Sequence, residues 1–322
     1  MSGFIGSALS IKLSEQYDIY GIDNGVAADT HLGRNITKDC SDITDHENIS
    51  KFVNIHKPDI VIHCAGIAHQ TIGSIDSDEY FSVNSLATER VAKTAITANP
   101  DVHFLFLSSI SVYGEGDNRG CVSESNQCNP SSDYAASKLD AEKKLMGLSD
   151  SGHLKKLDIL RLAPVYDSEW SLNLDRRVFA PKKLAYLKFG SGEQEMSAVS
   201  RQNLVEFIVH RINQEKENLQ DSSFCNVMNV CDKKPYKFKE IIKVFKQSGF
   251  QPNCMVFTVP LPLVWGATRF AGLLFKGKQQ WLYSCYDKLK LSLVFDNQKM
   301  LNTGFEPGSS LESVFLKVHN IR

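Results

Sequence analysis

The chain of 322 residues has almost no excess of charge of either sign. Its 36 Lys and Arg residues are matched by 37 Asp and Glu residues, which gives a formal net charge of -1. Proteins that bind nucleic acid through its phosphates usually carry a basic surface. The balance of charges therefore indicates that nucleic acid is not a partner of this protein.

The sequence also lacks the cysteine patterns of disulfide scaffolds and metal sites. It has eight cysteines but neither a Cys-x-x-Cys pair nor a regular framework, and its histidines are scattered. Disulfide-rich secreted domains and zinc sites show such spacings. We therefore expect reduced cysteines, a cytoplasmic location and no bound metal.

A long uninterrupted hydrophobic run is missing as well. The segment Val256 to Phe275 is mostly apolar, but two prolines, a glycine and an arginine interrupt it. A membrane-spanning helix is therefore not expected. We predict a buried or groove-lining segment in which Trp265 and Phe270 belong to a core, with anchoring at a membrane surface as the alternative.

Short apolar runs alternate with helical patterns in the first half of the chain. This alternation is typical of a parallel sheet covered by helices on both faces, so we predict an α/β, doubly wound, Rossmann-type fold. The pattern loosens after Pro164, which indicates a smaller α+β part. The predicted strands lie at 18–22, 59–64, 102–107, 157–162 and 226–230, and the predicted helices at 6–16, 48–56, 79–98, 135–148, 203–213 and 238–247.

The chain opens with two glycines three residues apart, directly before a helical pattern. Gly3 and Gly6 match the second half of a dinucleotide-binding fingerprint, in which glycines allow a close approach to the pyrophosphate and tight packing of the helix. Asp23 follows Gly6 by seventeen residues. A carboxylate there binds the ribose hydroxyls and repels a 2′-phosphate, which favours NAD over NADP. Ordinary N-terminal glycines and a turn aspartate are the alternative interpretation.

The first glycine of the fingerprint and the strand before it are absent from the sequence. That strand normally lies in the middle of the sheet, and its loss leaves two neighbouring strands with open edges. We expect that Met1 is an internal methionine and that roughly ten upstream residues are missing, the length of one strand and its turn. A decayed, inactive copy is the alternative.

Tyr134 and Lys138 stand four residues apart in a helical pattern, on one face of the helix. A tyrosine can transfer the proton of a substrate hydroxyl, and a nearby ammonium favours its phenolate. A buried strand that ends in serines, Leu107 to Gly114, precedes this pair. The chain holds the same spacing at Tyr286 and Lys290, which we interpret as structural because no such strand precedes it.

These motifs together resemble the extended short-chain dehydrogenases/reductases of the NAD-dependent epimerase/dehydratase family, which act on nucleotide sugars. The matching pieces occur in the order of the family over the first half of the chain, and looser matches follow at 189–208, 226–230 and 291–307. The ordered pieces are SGFIGSAL (2–9), GIDN (21–24), SDIT (41–44), HCAG (63–66), Asn84, SSISVYGE (108–115), YAASK (134–138) and RLAPVYD (161–167).

The resemblance implies a role for each matching residue. Ser109, Tyr134 and Lys138 would be catalytic, with Tyr134 as the acid/base and Ser109 bonded to the reacting sugar oxygen. It also implies NAD as the cofactor and a homodimer formed through helices at 79–98 and 135–148. The residues implied to bind the cofactor are Gly3, Phe4, Ile5, Gly6, Asp23, Asn24, Asp42, Ile43, Ala65, Gly66, Asn84, Tyr134, Lys138, Pro164 and Val165.

The resemblance further implies two domains, an NAD-binding domain over 1–165 to which 199–215 returns, and a substrate-binding domain over 166–322. Family 4,6-dehydratases carry an acidic pair after the catalytic serine or threonine, where this chain has Ile110 and Ser111. We therefore expect a UDP-sugar 4-epimerase that acts through a transient 4-keto sugar in bacterial surface polysaccharide metabolism. A 4-keto-sugar-nucleotide reductase and an inactive dinucleotide-binding protein are the alternatives.

One departure from the family concerns the binding of the nucleotide. Family members usually have an arginine that contacts the phosphates at the position of Met196. Arg201, Lys182 and Arg269 are the candidates to replace it. The identity of the sugar and of its nucleotide is left open by the sequence.

Overall fold

A computed structural model of the chain describes residues 3–25, 35–68, 76–114, 120–217, 222–275, 277 and 279–316. The contacts between residues divide the chain into two compact units. The first comprises Met1–Gly114, Gln127–Arg161 and Ile208–Met228, and the second comprises Glu115–Asn126, Leu162–Phe207 and Asn229–Arg322. The functional division into a cofactor domain and a substrate domain stays a prediction.

The helices and strands alternate through the first half of the chain. The helices are α1 (Phe4–Leu13), α2 (His46–His56), α3 (Ser77–Phe81), α4 (Ala87–Ala98), α5 (Asp133–Asp150), α6 (Leu172–Val178), α7 (Arg201–Glu217), α8 (Phe238–Ser248), α9 (Leu261–Leu274), α10 (Gln279–Lys290), α11 (Gln298–Asn302) and α12 (Leu311–Leu316). The strands are β1 (Ile19–Asp23), β2 (Ile36–Cys40), β3 (Ile60–His63), β4 (His103–Ser109), β5 (Cys121–Val122), β6 (Lys156–Leu162), β7 (Val165–Tyr166), β8 (Tyr186–Phe189), β9 (Glu195–Met196), β10 (Val199–Ser200), β11 (Phe224–Val230), β12 (Tyr236–Lys237), β13 (Val256–Val259) and β14 (Val294–Phe295).

The predicted α/β fold with a parallel sheet is confirmed. Four strands pair in the order β11-β6-β4-β3, and β3 runs parallel to β4 with Ile60 opposite His103. A separate parallel pair joins β1 to β2, with Ile19 opposite Ile36. Among the described strands, β1 therefore pairs only with β2, and β3 only with β4. The carboxyl ends of β3 and β4, which point the same way, bring two of the predicted motifs to one edge of the sheet.

The core of the first unit lies between the sheet and its helices. β4 supplies buried aromatic side chains, and α4 and α5 supply small or aliphatic residues that allow close packing. The cluster consists of Ile49, Val53, Val91, Ala92, Ala95, Val102, Phe104, Phe106, Ala141, Leu145, Leu154, Leu157 and Ile159. This packing fixes α5 against β4, the two elements that carry the predicted reactive residues.

The helix α5 begins at a side-chain cap. The Ser132 hydroxyl accepts a hydrogen bond from the Ala135 amide, which satisfies one of the free donors of the first turn. Tyr134 is therefore the second residue of the helix, and Lys138 lies just over one turn further along. The predicted helix at 135–148 is confirmed and extends by two residues at each end.

The second unit has a separate hydrophobic core built from short strands and α8. Tyr186, Tyr236, Phe238 and Phe245 are buried there, together with Phe315 of α12. A carboxylate lies beside this core, since the Tyr166 and Tyr236 hydroxyls both donate to Asp232. Burial raises the pKa of Asp232 against the lowering effect of these hydrogen bonds.

The prediction for the apolar segment 256–275 is wrong. The side chains of Trp265 and Phe270 are 50% and 65% exposed instead of lying in a core. The segment forms β13 and α9, and Gly272 is the one buried residue of α9. Within the described ranges, the helices are too short or too polar to cross a bilayer.

Candidate functional site

The carboxyl end of β4 presents Ser109 where the buried strand turns into a short 3-10 helix, Ile110–Tyr113. The Ser109 hydroxyl accepts hydrogen bonds from the amide of Ser111, at 3.2 Å, and from its hydroxyl, at 2.9 Å. Ser111 thus orients Ser109 locally, as expected for a strand-end serine. Ile110 points into the protein and is buried.

The helix α5 brings Tyr134 to this serine. Their side chains share a hydrogen bond, and the ring of Tyr80 from α3 packs edge-on against Tyr134, with 6.4 Å between ring centroids. The structure therefore places the predicted acid/base tyrosine and the predicted serine together at one end of β4.

Lys138 lies buried against β4, one turn after Tyr134 on α5. Its Nζ donates to the carbonyl oxygen of Leu107 at 3.0 Å and lies 4.7 Å from the centre of the Phe106 ring. The backbone of Gly66 approaches it closely, because a Cβ added there would lie 3.1 Å from Nζ. Only a glycine leaves room for the ammonium and the loop after β3 to meet in this way.

The electrostatics of the site are set mainly by burial. Desolvation lowers the pKa of Lys138 to about 8, although the electrostatic effects of Cys64 and Glu142 act in the opposite direction. Burial also raises the pKa of Tyr134, against the lowering effect of its hydrogen bond with Ser109. The structure thus does not show the lowered tyrosine pKa that the sequence suggests, since desolvation is the largest effect on both groups.

Asn84 connects the loop after β3 to α5. It lies in a π-helical turn, Ser82–Leu86, of the kind that often marks functional sites. Its Oδ1 accepts from the Ile67 amide at 2.8 Å, and its Nδ2 donates to the Ile67 carbonyl and to the Ser137 hydroxyl. The predicted cofactor residues Ala65 and Gly66 are therefore held in place next to Lys138.

A buried ion pair behind the site was not predicted from the sequence. Arg161 of β6 donates to both carboxylate oxygens of Glu142 on α5, at 2.7 to 3.2 Å, and to the hydroxyl of Tyr113 at 2.9 Å. The Ser108 hydroxyl donates to the same carboxylate. The pair thus ties together the two elements that carry Ser109 and Tyr134, and the position of Glu142 one turn after Lys138 is the signal that could have revealed it.

The amino end of α1 carries the predicted pyrophosphate residues. Gly3 is its exposed N-cap and provides no side chain to cap the helix, while Phe4, Ile5 and Gly6 form its first turn, which holds no acidic residue. A Cβ added to Gly3 would find open space within 4 Å. Met1 and Ser2 of the fingerprint and Glu115 of the strand motif lie outside the described residues.

The predicted adenosine-binding residues follow β1 and β2. The Asp23 carboxylate ends β1 and accepts from the Gly25 amide at 2.9 Å, and Asn24 beside it is exposed. Asp42 accepts hydrogen bonds from the hydroxyl and the amide of Thr44, and these bonds lower the pKa of Asp42. Ile43 packs against the core of the first unit. Since β1 and β2 are parallel, their carboxyl ends lie at the same edge of this pair.

The arrangement fits a dinucleotide. The uncapped helix start with its glycine suits phosphate groups, and Asp23 at the end of β1 suits ribose hydroxyls. The backbone of Gly66 lies close to the side-chain oxygen of Asn84 and to the Lys138 ammonium. Within the ranges that the structure describes, clusters of three or more His, Cys, Asp or Glu suitable for a metal ion are not found.

The remaining predicted residues lie in the second unit. Pro164 and Val165 follow β6, and Val165 pairs with Val199 of β10. Met196, which stands where the family usually has arginine, is buried in the core of this unit. Of the candidate substitutes, Arg201 pairs with Asp167 at 2.6 Å and the guanidinium of Arg269 lies over the ring of Tyr283.

The sequence matches known proteins over the part that builds this site. The model of the NAD-dependent epimerase/dehydratase family matches residues 1–224. The UDP-glucose 4-epimerase of Vibrio cholerae is 32% identical over 227 residues, which are 67% of this chain and 65% of that protein. The match thus spans slightly less than two thirds of the relative's length.

The fold is shared with solved structures over almost the whole chain. The UDP-Glc/GlcNAc 4-epimerase of Campylobacter jejuni superposes with a TM-score of 0.74 at 18% identity, covering 99% of this chain and 95% of that one. The UDP-glucose 4-epimerase of Thermotoga maritima, solved with UDP-glucose, gives 0.71 at 22% identity, covering 98% and 94%. At these identities the likeness concerns the fold alone.

Proposed function

Because the chain belongs to the NAD-dependent epimerase/dehydratase family, we propose that it is a nucleotide-sugar 4-epimerase with Tyr134 as its acid/base. The observation that carries this proposal is the hydrogen bond between Ser109 and Tyr134 at the end of β4, with the buried Lys138 one turn along α5. NAD is the cofactor that this family uses. Its bound form supplies reversible hydride transfer to and from a sugar carbon.

The residues of the chain perform the proton transfer and the positioning. Tyr134 takes the proton of the sugar 4-hydroxyl as the carbonyl forms and returns it when the carbonyl is reduced. Ser109 donates a hydrogen bond to the same oxygen, with Ser111 holding its orientation. Lys138 places a positive charge one turn along α5 from the tyrosine, and Glu142 supports that charge from the next turn.

The dehydratase reaction of the family is disfavoured by two side chains. Elimination of water from neighbouring carbons needs an additional acid and base. The residues after Ser109 are Ile110, which is buried and apolar, and Ser111, which is bonded to Ser109. Neither can act as a carboxylic acid, so the site is suited to hydride and single-proton exchange.

We propose a UDP-sugar as the substrate, on the basis of the Vibrio cholerae relative. The buried Met196 leaves the usual phosphate-binding arginine without a direct replacement, and the engagement of Arg201 with Asp167 does not favour it as a substitute. Binding of UDP-glucose, UDP-GlcNAc and UDP alone, measured by calorimetry with NAD present, tests this choice. Equal failure of all three would exclude a UDP carrier.

The test of the mechanism is the substitution Tyr134→Phe. We expect interconversion of UDP-glucose and UDP-galactose to fall by a factor of about 10² to 10⁴, the usual contribution of a general acid/base. NAD binding, followed by fluorescence, should change by less than about twofold, since only a hydroxyl is removed. Retained turnover in Tyr134→Phe would show that the mechanism is wrong.

The chain offers a matched control in its second Tyr-x-x-x-Lys pair. Tyr286→Phe removes the same hydroxyl from α10, where the Lys290 Nζ lies 5.8 Å from the centre of the Tyr286 ring. This variant should keep full turnover. Loss of activity in both variants would indicate a general effect on folding instead of a role in proton transfer.

The same assay separates the alternative functions. A 4-ketoreductase consumes one reduced cofactor per turnover, whereas an epimerase leaves the amount of NAD unchanged. An inactive dinucleotide-binding protein would bind NAD without turnover of any UDP-sugar. The retention of Ser109 and Tyr134 in one hydrogen bond, with Lys138 bonded to the Leu107 carbonyl oxygen of the same strand β4, favours an enzyme.

We further propose a cytoplasmic homodimer that serves surface polysaccharide synthesis. The helices α4 and α5 are the proposed dimer elements, as in the family that the sequence resembles. Mass in solution by light scattering tests the dimer, and cell fractionation tests the location. A monomeric mass at micromolar concentration would exclude the dimer.

A further inference from the structure

An exposed apolar segment covers residues 255–275 and is made of β13, α9 and their flanks. Soluble proteins expose single apolar side chains routinely, but large contiguous patches usually mark an interaction site. Here the exposed side chains follow one another along the chain. They are Met255, Val256, Phe257, Leu263, Trp265, Phe270, Leu273, Leu274 and Phe275.

The helix α9 exposes a face as apolar as the one it covers. Leu261, Val264, Thr268 and Ala271 are half-buried, with Gly272 buried, at the three- and four-residue spacing of one helix face. An ordinary surface helix would carry charged residues on the remaining face. In α9 that face holds leucine and aromatic side chains, with Arg269 as its charged residue.

The packing of α9 on α10 leaves this face outward. At Gly272 a Cβ would lie 3.3 Å from Gln279 and 3.5 Å from the Tyr283 hydroxyl, so the two helices approach closely there. The Arg269 guanidinium lies over the ring of Tyr283, at 4.3 Å from its centre. These contacts hold α9 against α10 and leave Phe270 and Leu273 65% and 69% exposed.

The charges along this stretch of the sequence are of one sign. Between Glu240 and Asp287 the sequence holds five basic residues and no Asp or Glu. Basic residues beside leucine and aromatic side chains are typical of helices that lie in the headgroup region of an anionic membrane. The basic residues of the stretch are Lys243, Lys246, Arg269, Lys276 and Lys278.

The helix α9 is shorter than the hydrocarbon core of a bilayer is thick. Its 14 residues correspond to about 21 Å at 1.5 Å per residue. The hydrocarbon core of a bilayer is about 30 Å thick, so α9 is suited to lying in the interface and not to crossing it.

We propose that the exposed apolar segment 255–275 docks the protein on the surface of an anionic lipid bilayer. Trp265, Phe270 and Leu273 enter the boundary between headgroups and acyl chains, and the excess of positive charge along the stretch attracts the anionic headgroups. Docking on a membrane would place a sugar-nucleotide enzyme beside any membrane-bound enzymes that use its product. The docking itself does not depend on the proposed activity.

A second copy of the chain fits this surface less well than lipid does. In a two-fold interface the same patch meets itself, so the excess of positive charge of one copy would meet that of the other. Like charges brought together in this way repel each other. Anionic phosphates instead complement the charge.

The test is co-sedimentation of the full chain with vesicles. We expect binding to vesicles of equal parts phosphatidylcholine and phosphatidylglycerol to be at least about tenfold stronger than binding to pure phosphatidylcholine, since each basic residue near the surface contributes attraction. Raising the salt concentration should weaken it. The double substitution Phe270→Ser/Leu273→Ser should reduce the binding by at least about tenfold.

The control is Ile11→Ser/Ile55→Ser, which removes two apolar side chains that are 60% and 74% exposed on α1 and α2. It should sediment like the unchanged chain, and circular dichroism should show both double variants folded. The Tyr134→Phe variant should also bind vesicles normally, whatever its activity.

Three outcomes would overturn the proposal. The first is failure of the unchanged chain to bind the anionic vesicles. The second is an equal loss of binding in both double variants. The third is a dimer in vesicle-free solution that dissociates in Phe270→Ser/Leu273→Ser, because a second copy would then occupy the surface.

Discussion

At the scale of single residues, the site depends on one buried ammonium. The Lys138 ammonium donates to the Leu107 carbonyl oxygen and lies over the face of the Phe106 ring. Burial therefore lowers its pKa to about 8, and the carboxylate of Glu142 limits the shift. A lysine with this pKa is poised to change charge close to physiological pH.

The first prediction concerns this titration. In the chain labelled at the lysine ε-carbons, one NMR resonance should titrate near pH 8, whereas exposed lysines titrate near 10.4. The Lys138→Met variant should lose that resonance. Glu142→Gln should move the titration midpoint of the Lys138 resonance to lower pH. The Glu142 carboxylate raises the pKa of Lys138, and this substitution removes the carboxylate charge.

The sign of the effect on stability follows from the same shift. The unfolded chain holds the Lys138 proton up to a higher pH than the folded chain, so the folded state becomes more stable as pH rises from about 8 to 10.5. The gain relative to Lys138→Met should reach about 3 kcal/mol. Urea unfolding of both chains across this range measures it, and a constant difference would contradict the burial of the charge.

At the scale of elements, α2 carries a mismatch between sequence and backbone. The Asp45 side chain caps its start by accepting from the Asn48 amide, as expected of an N-cap aspartate. Its end is formed by Lys57 at φ 41°, in the left-handed region where glycine is the usual residue. A side chain in that conformation costs free energy that glycine avoids.

The second prediction follows from this cap. Lys57→Gly should raise the free energy of unfolding by about 1 kcal/mol, because the glycine adopts the left-handed conformation without a clash. Lys51→Gly, in the exposed middle of the same helix, should lower it by about 1 kcal/mol. Thermal and urea unfolding measure both changes, and a loss of stability in Lys57→Gly would disprove the strained cap.

Elements with strong periodicity were predictable from the sequence, and those set by distant contacts were not. The strand predicted at 102–107 and the helix predicted at 238–247 appear at 103–109 and 238–248 because their apolar residues face a core. The strand β2, with the sequence ITKDC, was missed since its polar residues carry little pattern and its pairing with β1 defines it. The break in helix 79–98 at the π-helical turn holding Asn84 likewise has no local signal.

The same distinction applies to the candidate site. Ser109, Tyr134 and Lys138 were predictable because short motifs place them, and the structure brings them to one end of β4. The ion pair of Glu142 and Arg161 joins residues nineteen positions apart on two elements. The spacing of Glu142 from Lys138 could have suggested a buried charge, but the identity of its partner depends on the folded structure. The raised pKa of Tyr134 also depends on burial that spacing does not show.

At the scale of the whole molecule, the charges are balanced overall but are unevenly distributed along the sequence. The net charge of -1 suggests no special partner, yet a stretch of 46 residues, 241–286, is free of acidic side chains. Its apolar residues were predicted to fill a core because hydropathy alone does not distinguish burial in protein from exposure. The core of the second unit is instead filled by tyrosines and phenylalanines from β8, β12, α8 and α12.

The stability of the whole chain provides the last prediction, on the choice of cofactor. A ligand at a hundred times its Kd stabilises the folded state by about 2.7 kcal/mol. NAD at that concentration should raise the unfolding temperature, and NADP at the same concentration should raise it much less. The reason is that the Asp23 carboxylate, fixed at the end of β1 by the Gly25 amide, repels a 2′-phosphate.

The substitution Asp23→Asn isolates this effect. The amide keeps the size and the acceptor oxygen of the side chain but removes its charge, so the repulsion disappears. The shift caused by NADP should then approach that caused by NAD, while Asp42→Asn, which removes a charge after β2, should leave the original difference in place. Equal shifts from the two cofactors in the unchanged chain would show that Asp23 does not select between them. The assignment of Asp23 as the acidic residue of the dinucleotide-binding fingerprint would then be wrong.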